Sequence, residues 1–134
     1  MSTKTMTMEN ESSKQKFANI ALWVIQVGLA LMFFMAGGNK LTGNPQMVGM
    51  FEALGVGQWF RYLTGSLEVI GAVLLLVPAF SGAGALLLTG VMGGAVVTHL
   101  FVIGGDPTMA IVLFAASVVV TIGRRDRTLK LIGR

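Results

Sequence analysis

The sequence contains no cysteine, so disulfide bonds, thiolate nucleophiles and cysteine-bound zinc or iron–sulfur centres are excluded. Charged residues are scarce as well: they form 12% of the chain, about half of what a soluble domain carries, whereas 54% of the residues are apolar. There are only three prolines, and the 18 glycines lie mostly inside apolar runs rather than in polar linkers. The composition is therefore that of a membrane protein, and 134 residues suit one domain of four spans.

The inventory of metal ligands is equally poor. A single histidine, His99, cannot ligate a haem from both sides, and the nine methionines are scattered in a way that favours packing over metal binding. The sequence contains no nucleotide-binding motif, and the net charge of +4 comes from the two termini, so we expect no nucleic-acid partner. We predict no metal site and no intrinsic cofactor; any redox role would need a diffusible quinone or a partner redox protein.

Four apolar segments are candidates for membrane crossings. They cover about residues 17–37, 61–77, 83–104 and 108–123. A signal peptide is the alternative for the first segment, but its apolar run is longer than a usual signal core. We therefore predict an all-α membrane protein with a four-helix transmembrane bundle, whose membrane domain covers residues 17–123 and whose main partner is the lipid bilayer.

The remaining segments are more polar. Residues 1–16 have no apolar period and are predicted to form a flexible cytoplasmic tail, and residues 124–134 form a basic cytoplasmic tail. Between the first two spans, residues 47–60 are predicted to form a short amphipathic interfacial helix. Four apolar side chains share one face of this helix: Met47, Met50, Phe51 and Leu54.

The distribution of basic residues predicts the orientation. Eight of the ten lie before the first span or after the fourth, and only Lys40 and Arg61 lie between these limits. Because basic residues are retained on the cytoplasmic side, both termini are predicted to be cytoplasmic. The connection over residues 39–60 would then lie outside.

Several positions within or next to the spans have predicted packing roles. Gly90 and Gly94 are four residues apart, which predicts a face that another helix can approach closely. Asp106 precedes Pro107 and is predicted to be the N-cap of the fourth span, with Pro107 as its first residue. Gln26 is predicted to hydrogen-bond to another helix.

Glu68 and His99 are ionisable residues within apolar spans, where such groups are costly, so both are candidate functional residues. Lys40 ends the first span, and Arg61 begins the second, two helical turns before Glu68 on the same face. We predict a polar pocket that opens outward and has Glu68 at its floor. Lys40, Arg61 and His99 would lie around its mouth, whereas the inner half of the bundle offers only serine and threonine.

These residues have predicted roles and structural alternatives. Glu68 and His99 are the candidate catalytic residues, acting as a proton relay, and both are also candidate ligand-binding residues together with Lys40, Arg61 and Asn39. Alternatively, Glu68 only ties helices together through hydroxyl groups such as that of Thr64. His99 would then be solvated, and the two basic side chains would extend to the membrane interface.

Three stretches resemble the DoxX family, specifically its DoxX-like branch of small bacterial membrane proteins. They are FFMAGGNKL at residues 33–41, LTGSLEVIGAVLLLVP at 63–78 and VVTHLFVIGGDP at 96–107. The resemblance matches Gly37 and Lys40 to a family glycine followed by lysine, and Glu68 to a family glutamate. It implies a multi-pass protein of the bacterial inner membrane.

The family takes its name from the membrane subunit of a thiosulfate:quinone oxidoreductase, and other members are linked to oxidative-stress or quinone-response systems. The resemblance therefore implies at most an oxidoreductase membrane subunit that has no redox-cofactor ligands of its own. The absence of cysteine excludes any family chemistry that needs a thiol, and nothing in the sequence marks thiosulfate as a substrate.

Three functions are compatible with the sequence. The first is a membrane subunit that binds a small molecule, such as a quinone, and supports redox or stress-response chemistry by a partner redox protein. The second is a small proton-coupled transporter, although the exporters it resembles in outline carry their glutamate in the first span. The third is a non-catalytic membrane assembly factor that uses its small-residue faces and the helix over residues 47–60 as contact surfaces. A partner redox protein or a second copy of the chain, in a homo-oligomer, is the expected protein partner.

Overall fold

The computed structural model describes residues 3–133, and all regular elements in this range are helical. The helices are α1 (Thr3–Leu41), α2 (Pro45–Leu54), α3 (Trp59–Leu76), α4 (Ser81–Thr98), α5 (Thr108–Gly123) and α6 (Arg125–Leu131). A 3₁₀ turn over Pro78–Phe80 precedes α4, and a π-helical turn over His99–Ile103 follows it. The prediction of an all-α protein is confirmed.

Three helical segments are long and apolar enough to cross a membrane: α1, α3 and the continuous segment Pro78–Ile103. The 16 residues of α5 span about 24 Å, less than the hydrocarbon core of a typical bilayer. Together with α6, which follows after a bend of 65°, α5 forms a fourth candidate crossing segment. The protein is therefore an all-α membrane bundle.

The first helix is much longer than the first predicted span. Residues 1–16 were expected to be flexible, whereas residues 3–16 form exposed helical turns that continue into the span; residues 1 and 2 lie outside the described range. No glycine or proline precedes Gly28, so nothing in the sequence interrupts a helix that propagates backward from the apolar segment.

The predicted amphipathic helix is present but shifted. It forms α2, which begins after Asn44, whose side-chain oxygen accepts a hydrogen bond from the backbone N–H two residues later at 3.0 Å. It ends at Leu54 and is followed by the capping residue Gly55, whose φ of 74° is a left-handed conformation that suits glycine. Phe51 is buried, and the other three apolar residues of the predicted face are partly buried, so the apolar face is confirmed.

The helices α3 and α4 form an antiparallel hairpin through the Pro78–Phe80 turn, as the sequence predicted. Gly71 permits close packing because a Cβ there would lie 2.6 Å from the Leu88 side chain. Gly84 packs similarly, with a Cβ position 2.9 Å from the backbone nitrogen of Leu75. The core between the helices includes Leu29 and Phe33 from α1, Ala72 and Leu75 from α3, Leu88 from α4, and Leu113 and Val120 from α5.

The role predicted for Gly90 and Gly94 is wrong. A Cβ built at either position meets nothing within 4 Å, and both residues are exposed on the outer surface of α4. Their spacing places them on one face of the helix, but α4 is apolar on all sides, so its sequence does not indicate which face is buried. The close helix contacts are made by other glycines.

Candidate functional site

The centre of the candidate site is an ion pair between Glu68 and Lys40. Glu68 lies on α3 and is only 1% exposed. Lys40 lies in the last turn of α1, and its Nζ is 2.8 Å from Oε1 of Glu68. The Lys40 side chain is 15% exposed, so the pair extends from the bundle interior toward one end. Two residues that the sequence assigned to one polar pocket are thus in direct contact.

Two glycines allow this contact because they bring α1 and α3 together at their backbones. A Cβ on Gly65 would lie 2.9 Å from Cβ of Lys40 and 3.1 Å from the carbonyl oxygen of Gly37. A Cβ on Gly37 would lie 2.8 Å from the carbonyl oxygen of Gly65. Any side chain at position 65 would therefore clash with the aliphatic part of Lys40.

Arg61 lies beside the pair, in the first turn of α3, and is 5% exposed. Its Nη1 donates to the backbone carbonyl of Lys40, and its Nε donates to Oε1 of Gln58 at 2.7 Å. Its guanidinium carbon is 4.3 Å from the centre of the Tyr62 ring. The Lys40 carbonyl belongs to the C-terminal turn of α1, where free carbonyl groups favour a cation. Arg61 therefore fixes the end of α1 that carries Lys40.

The second carboxylate oxygen of Glu68 has no protein partner. Oε2 is buried and makes no hydrogen bond to residues 3–133. The Thr64 hydroxyl, which the sequence offered as a structural partner, donates instead within its own helix to the carbonyls of Phe60 and Arg61. Buried polar atoms are nearly always satisfied, so an acceptor left free in the bundle interior needs an explanation.

The described contacts of His99 and Asn39 are local, and they do not include Lys40, Arg61 or Glu68. Nδ1 of His99 is 3.2 Å from the carbonyl oxygen of Gly104, within the turn that follows α4. Asn39 is exposed on α1, and its backbone carbonyl accepts from the Asn44 N–H at 3.0 Å. The geometry thus corrects the predicted pocket, because the residues that it brings together are Lys40, Arg61 and Glu68. Sequence spacing did not predict this local contact of His99 with Gly104.

Asp106 stabilises the start of α5, although in a different way from the prediction. The helix begins at Thr108, at the start of the predicted span, but its N-cap residue is Pro107 rather than Asp106. An Asp106 carboxylate oxygen accepts from the Thr108 backbone N–H at 3.0 Å and from the Thr108 hydroxyl. These hydrogen bonds, mainly that from the hydroxyl, lower the pKa of Asp106.

Sequence reasoning missed a second buried polar cluster, centred on Arg124. Its Nε donates to Oε1 of Gln26 at 2.7 Å, its Nη1 donates to Oδ1 of Asn19 at 2.8 Å, and its guanidinium carbon is 5.6 Å from the centre of the Trp23 ring. Gln26 in turn donates to the carbonyl of Leu75 at 2.7 Å, which confirms that this residue bonds across helices. The cluster joins α1, α3 and the end of α5.

This cluster overturns the expectation that one half of the bundle offers only serine and threonine. Arg124 is 5% exposed, and Gln26 is fully buried. The sequence did contain a signal, because Asn19 and Gln26 are seven residues apart and so share one face of an apolar helix. Gln26 is 14 residues from Lys40, about 21 Å along α1, so the two polar clusters lie at opposite ends of the bundle.

The sequence model of the DoxX-like family matches residues 24–122, which include Lys40, Arg61 and Glu68. The chain belongs to the DoxX-like family. The match confirms the resemblance found in the three sequence stretches, whereas no curated protein and no solved structure matches this DoxX-like protein.

The ion pair gives this DoxX-like protein two hydrogen-bonding functions in one place. Oε2 of Glu68 can accept a hydrogen bond or a proton, and the Lys40 ammonium has donors beyond the one that faces Oε1. Residues 3–133 contain no group of three or more metal-binding side chains. The ion pair therefore presents a hydrogen-bond acceptor and a hydrogen-bond donor side by side.

Proposed function

We propose that this DoxX-like protein is a membrane subunit that binds a quinone beside Lys40 and Glu68 and supports the redox chemistry of a partner protein. The observation that carries the proposal is the free, buried Oε2 of Glu68 next to an oxygen held by Lys40. A quinol hydroxyl supplies the missing donor, and a quinone carbonyl accepts from the Lys40 ammonium. The ring and tail of a quinone are apolar, so the ligand is soluble in the bilayer that surrounds the bundle.

In this proposal Glu68 also accepts a proton. Oxidation of a quinol to a quinone releases two electrons and two protons. The electrons pass to the partner redox protein, since this chain has no cysteine and one histidine with which to hold a redox centre. One proton goes to Oε2 of Glu68, and the other leaves to water at the end of the bundle where Lys40 is partly exposed.

The proposal places the protein in a bacterial cytoplasmic membrane with both termini in the cytoplasm. The support is the concentration of eight of ten basic residues before the first span or after the fourth. Lys40 and Glu68 would then lie in the half of the bundle that faces away from the cytoplasm.

The direct test is quinone binding by the Glu68→Gln variant. The protein is placed in lipid nanodiscs and titrated with a short-chain ubiquinol and its oxidised form. In this variant Lys40 still donates to the amide oxygen of the new glutamine, so the amide nitrogen takes the place of Oε2 and faces the ligand as a donor. Because the acceptor for the quinol hydroxyl is then lost, ubiquinol affinity should fall by about tenfold or more. The matched control is Glu52→Gln on the exposed surface of α2, which should bind like the unmodified protein.

Two further measurements complete this test. The double variant Lys40→Gln/Glu68→Gln replaces both charged residues of the pair by neutral ones. Thermal unfolding of this variant shows whether a loss of binding is caused by a loss of structure. Unchanged ubiquinol affinity in folded Glu68→Gln protein would refute the proposal. Proton-driven uptake into liposomes that depends on Glu68, without quinone binding, would support a transporter instead.

A further inference from the structure

The short helix α6 carries a concentration of positive charge that the proposed quinone site does not use. Residues 124–130 include four basic residues, Arg124, Arg125, Arg127 and Lys130, against one acidic residue, Asp126. The helix follows α5 after a bend of 65°, and it packs against the Pro78–Phe80 turn and α4. Its charge therefore lies at the end of the bundle opposite Lys40.

A groove lies between α6 and this turn. It has a volume of about 460 Å³ and is lined by Pro78, Ala79, Arg127, Lys130 and Leu131. Two of its lining residues are basic and none is acidic. The groove thus combines positive charge with an apolar surface.

Arg127 is held in place at this groove. Its Nη1 donates to the carbonyl of Pro78 at 2.9 Å and to Oγ of Ser81 at 3.1 Å. Lys130, one helical turn later, is exposed, and none of its described contacts is with an acidic residue. Arg127 is therefore held in place by hydrogen bonds, whereas the exposed Lys130 side chain can move to bind an anion.

The apolar surface continues beyond the groove onto the spans. Val77 and Phe80, on either side of the groove residues Pro78 and Ala79, are 36% and 42% exposed, and Leu131 is 45% exposed. A soluble phosphate would use only the two cations. A phospholipid would also cover the apolar surface with its acyl chains.

We propose that this groove binds the headgroup of an anionic phospholipid. Arg127 and Lys130 bind the phosphate, and the first carbon atoms of the acyl chains lie against Ala79 and Leu131. The site is independent of Lys40 and Glu68.

The test compares two variants that each remove one positive charge from the same helix. Full-length protein in detergent is incubated with phosphatidylglycerol or phosphatidylcholine, and bound lipids are counted by native mass spectrometry. Phosphatidylglycerol should bind in preference, and Lys130→Gln should weaken its binding about fivefold. Arg125→Gln should leave it unchanged, because Arg125 does not line the groove and donates to the carbonyl of Ile122.

A second variant tests the apolar part of the groove without changing charge. Ala79 is exposed, so Ala79→Phe fills the groove without burying the new ring in the core, and it should also lower phosphatidylglycerol binding. Equal losses in Lys130→Gln and Arg125→Gln would overturn the proposal in favour of diffuse charge attraction. Competition by millimolar inorganic phosphate, or no preference for phosphatidylglycerol, would overturn it as well.

Discussion

At the scale of single residues, the contact between Lys40 and Glu68 depends on the missing side chain of Gly65. A Cβ there would come within 3.2 Å of three atoms, including the carbonyl oxygen of Gly37, which cannot move without shifting α1. Gly65→Ala should therefore force α1 and α3 apart and lower the free energy of unfolding by about 1–3 kcal/mol. Equilibrium unfolding in mixed detergent measures this loss.

The control for Gly65→Ala is Gly38→Ala, one residue from the contact. A Cβ at Gly38 meets nothing within 4 Å, and the residue is helical. Alanine is the better helix former, so this variant should be unchanged or more stable by up to about 1 kcal/mol. Equal destabilisation by the two variants would mean that the close backbone packing at Gly65 is not what sets their stability.

The Lys40–Glu68 ion pair should show strong coupling when its partners are replaced singly and together. Lys40→Met leaves a buried carboxylate without its cation, which should cost about 3–5 kcal/mol of unfolding free energy. The double variant Lys40→Met/Glu68→Gln has no buried charge left at the pair and should be more stable than Lys40→Met alone. Additive effects in the double-mutant cycle would contradict a direct interaction.

At the scale of helices, polar contacts hold α1 in the bundle at two levels, at Lys40 in its last turn and at Asn19 and Gln26 in its middle. Arg124→Gln removes the donors to the buried Oε1 of Gln26 and to Oδ1 of Asn19, so it should lower the free energy of unfolding by about 2–3 kcal/mol. Arg125→Gln removes the same charge from the next, exposed residue and should stay within about 0.5 kcal/mol of the unmodified protein. Denaturant titration of both variants makes the comparison, and similar losses would contradict a structural role specific to Arg124.

The helices themselves were largely predictable, because burial in lipid demands long apolar segments and the sequence contains them. The hairpin turn near residue 80 and the start and end of α5 at Thr108 and Gly123 agree with the predicted spans. The faces of the helices were not predictable in the same way. Lipid-facing and core-facing residues are both apolar in α4, so Gly90 and Gly94 were assigned to a helix contact that they do not make.

At the scale of the whole molecule, the candidate site was predictable where the residues are close enough in sequence for their spacing along the chain to determine their relative positions. Arg61 and Glu68 share one face of α3, and Lys40 ends the preceding span, so their proximity follows from the chain. The described hydrogen bond of His99 is a local one with Gly104, because the rotation of this residue about α4 depends on how the whole bundle packs. The sequence assigns Arg124 to the basic cytoplasmic tail, whereas in the structure it is buried and donates to residues 98 and 105 positions away in sequence.

The number of crossings can be decided by labelling single cysteines, since the native chain has none to interfere. Four crossings place Ser12→Cys and Ile132→Cys on the cytoplasmic side and Asn44→Cys on the opposite side, and all three residues are exposed. A membrane-impermeant maleimide applied to intact spheroplasts should then label only position 44. Permeabilised spheroplasts should show labelling at all three positions. Labelling of position 132 in intact spheroplasts, with position 12 still protected, would mean that α5 and α6 do not cross and that the bundle has three spans.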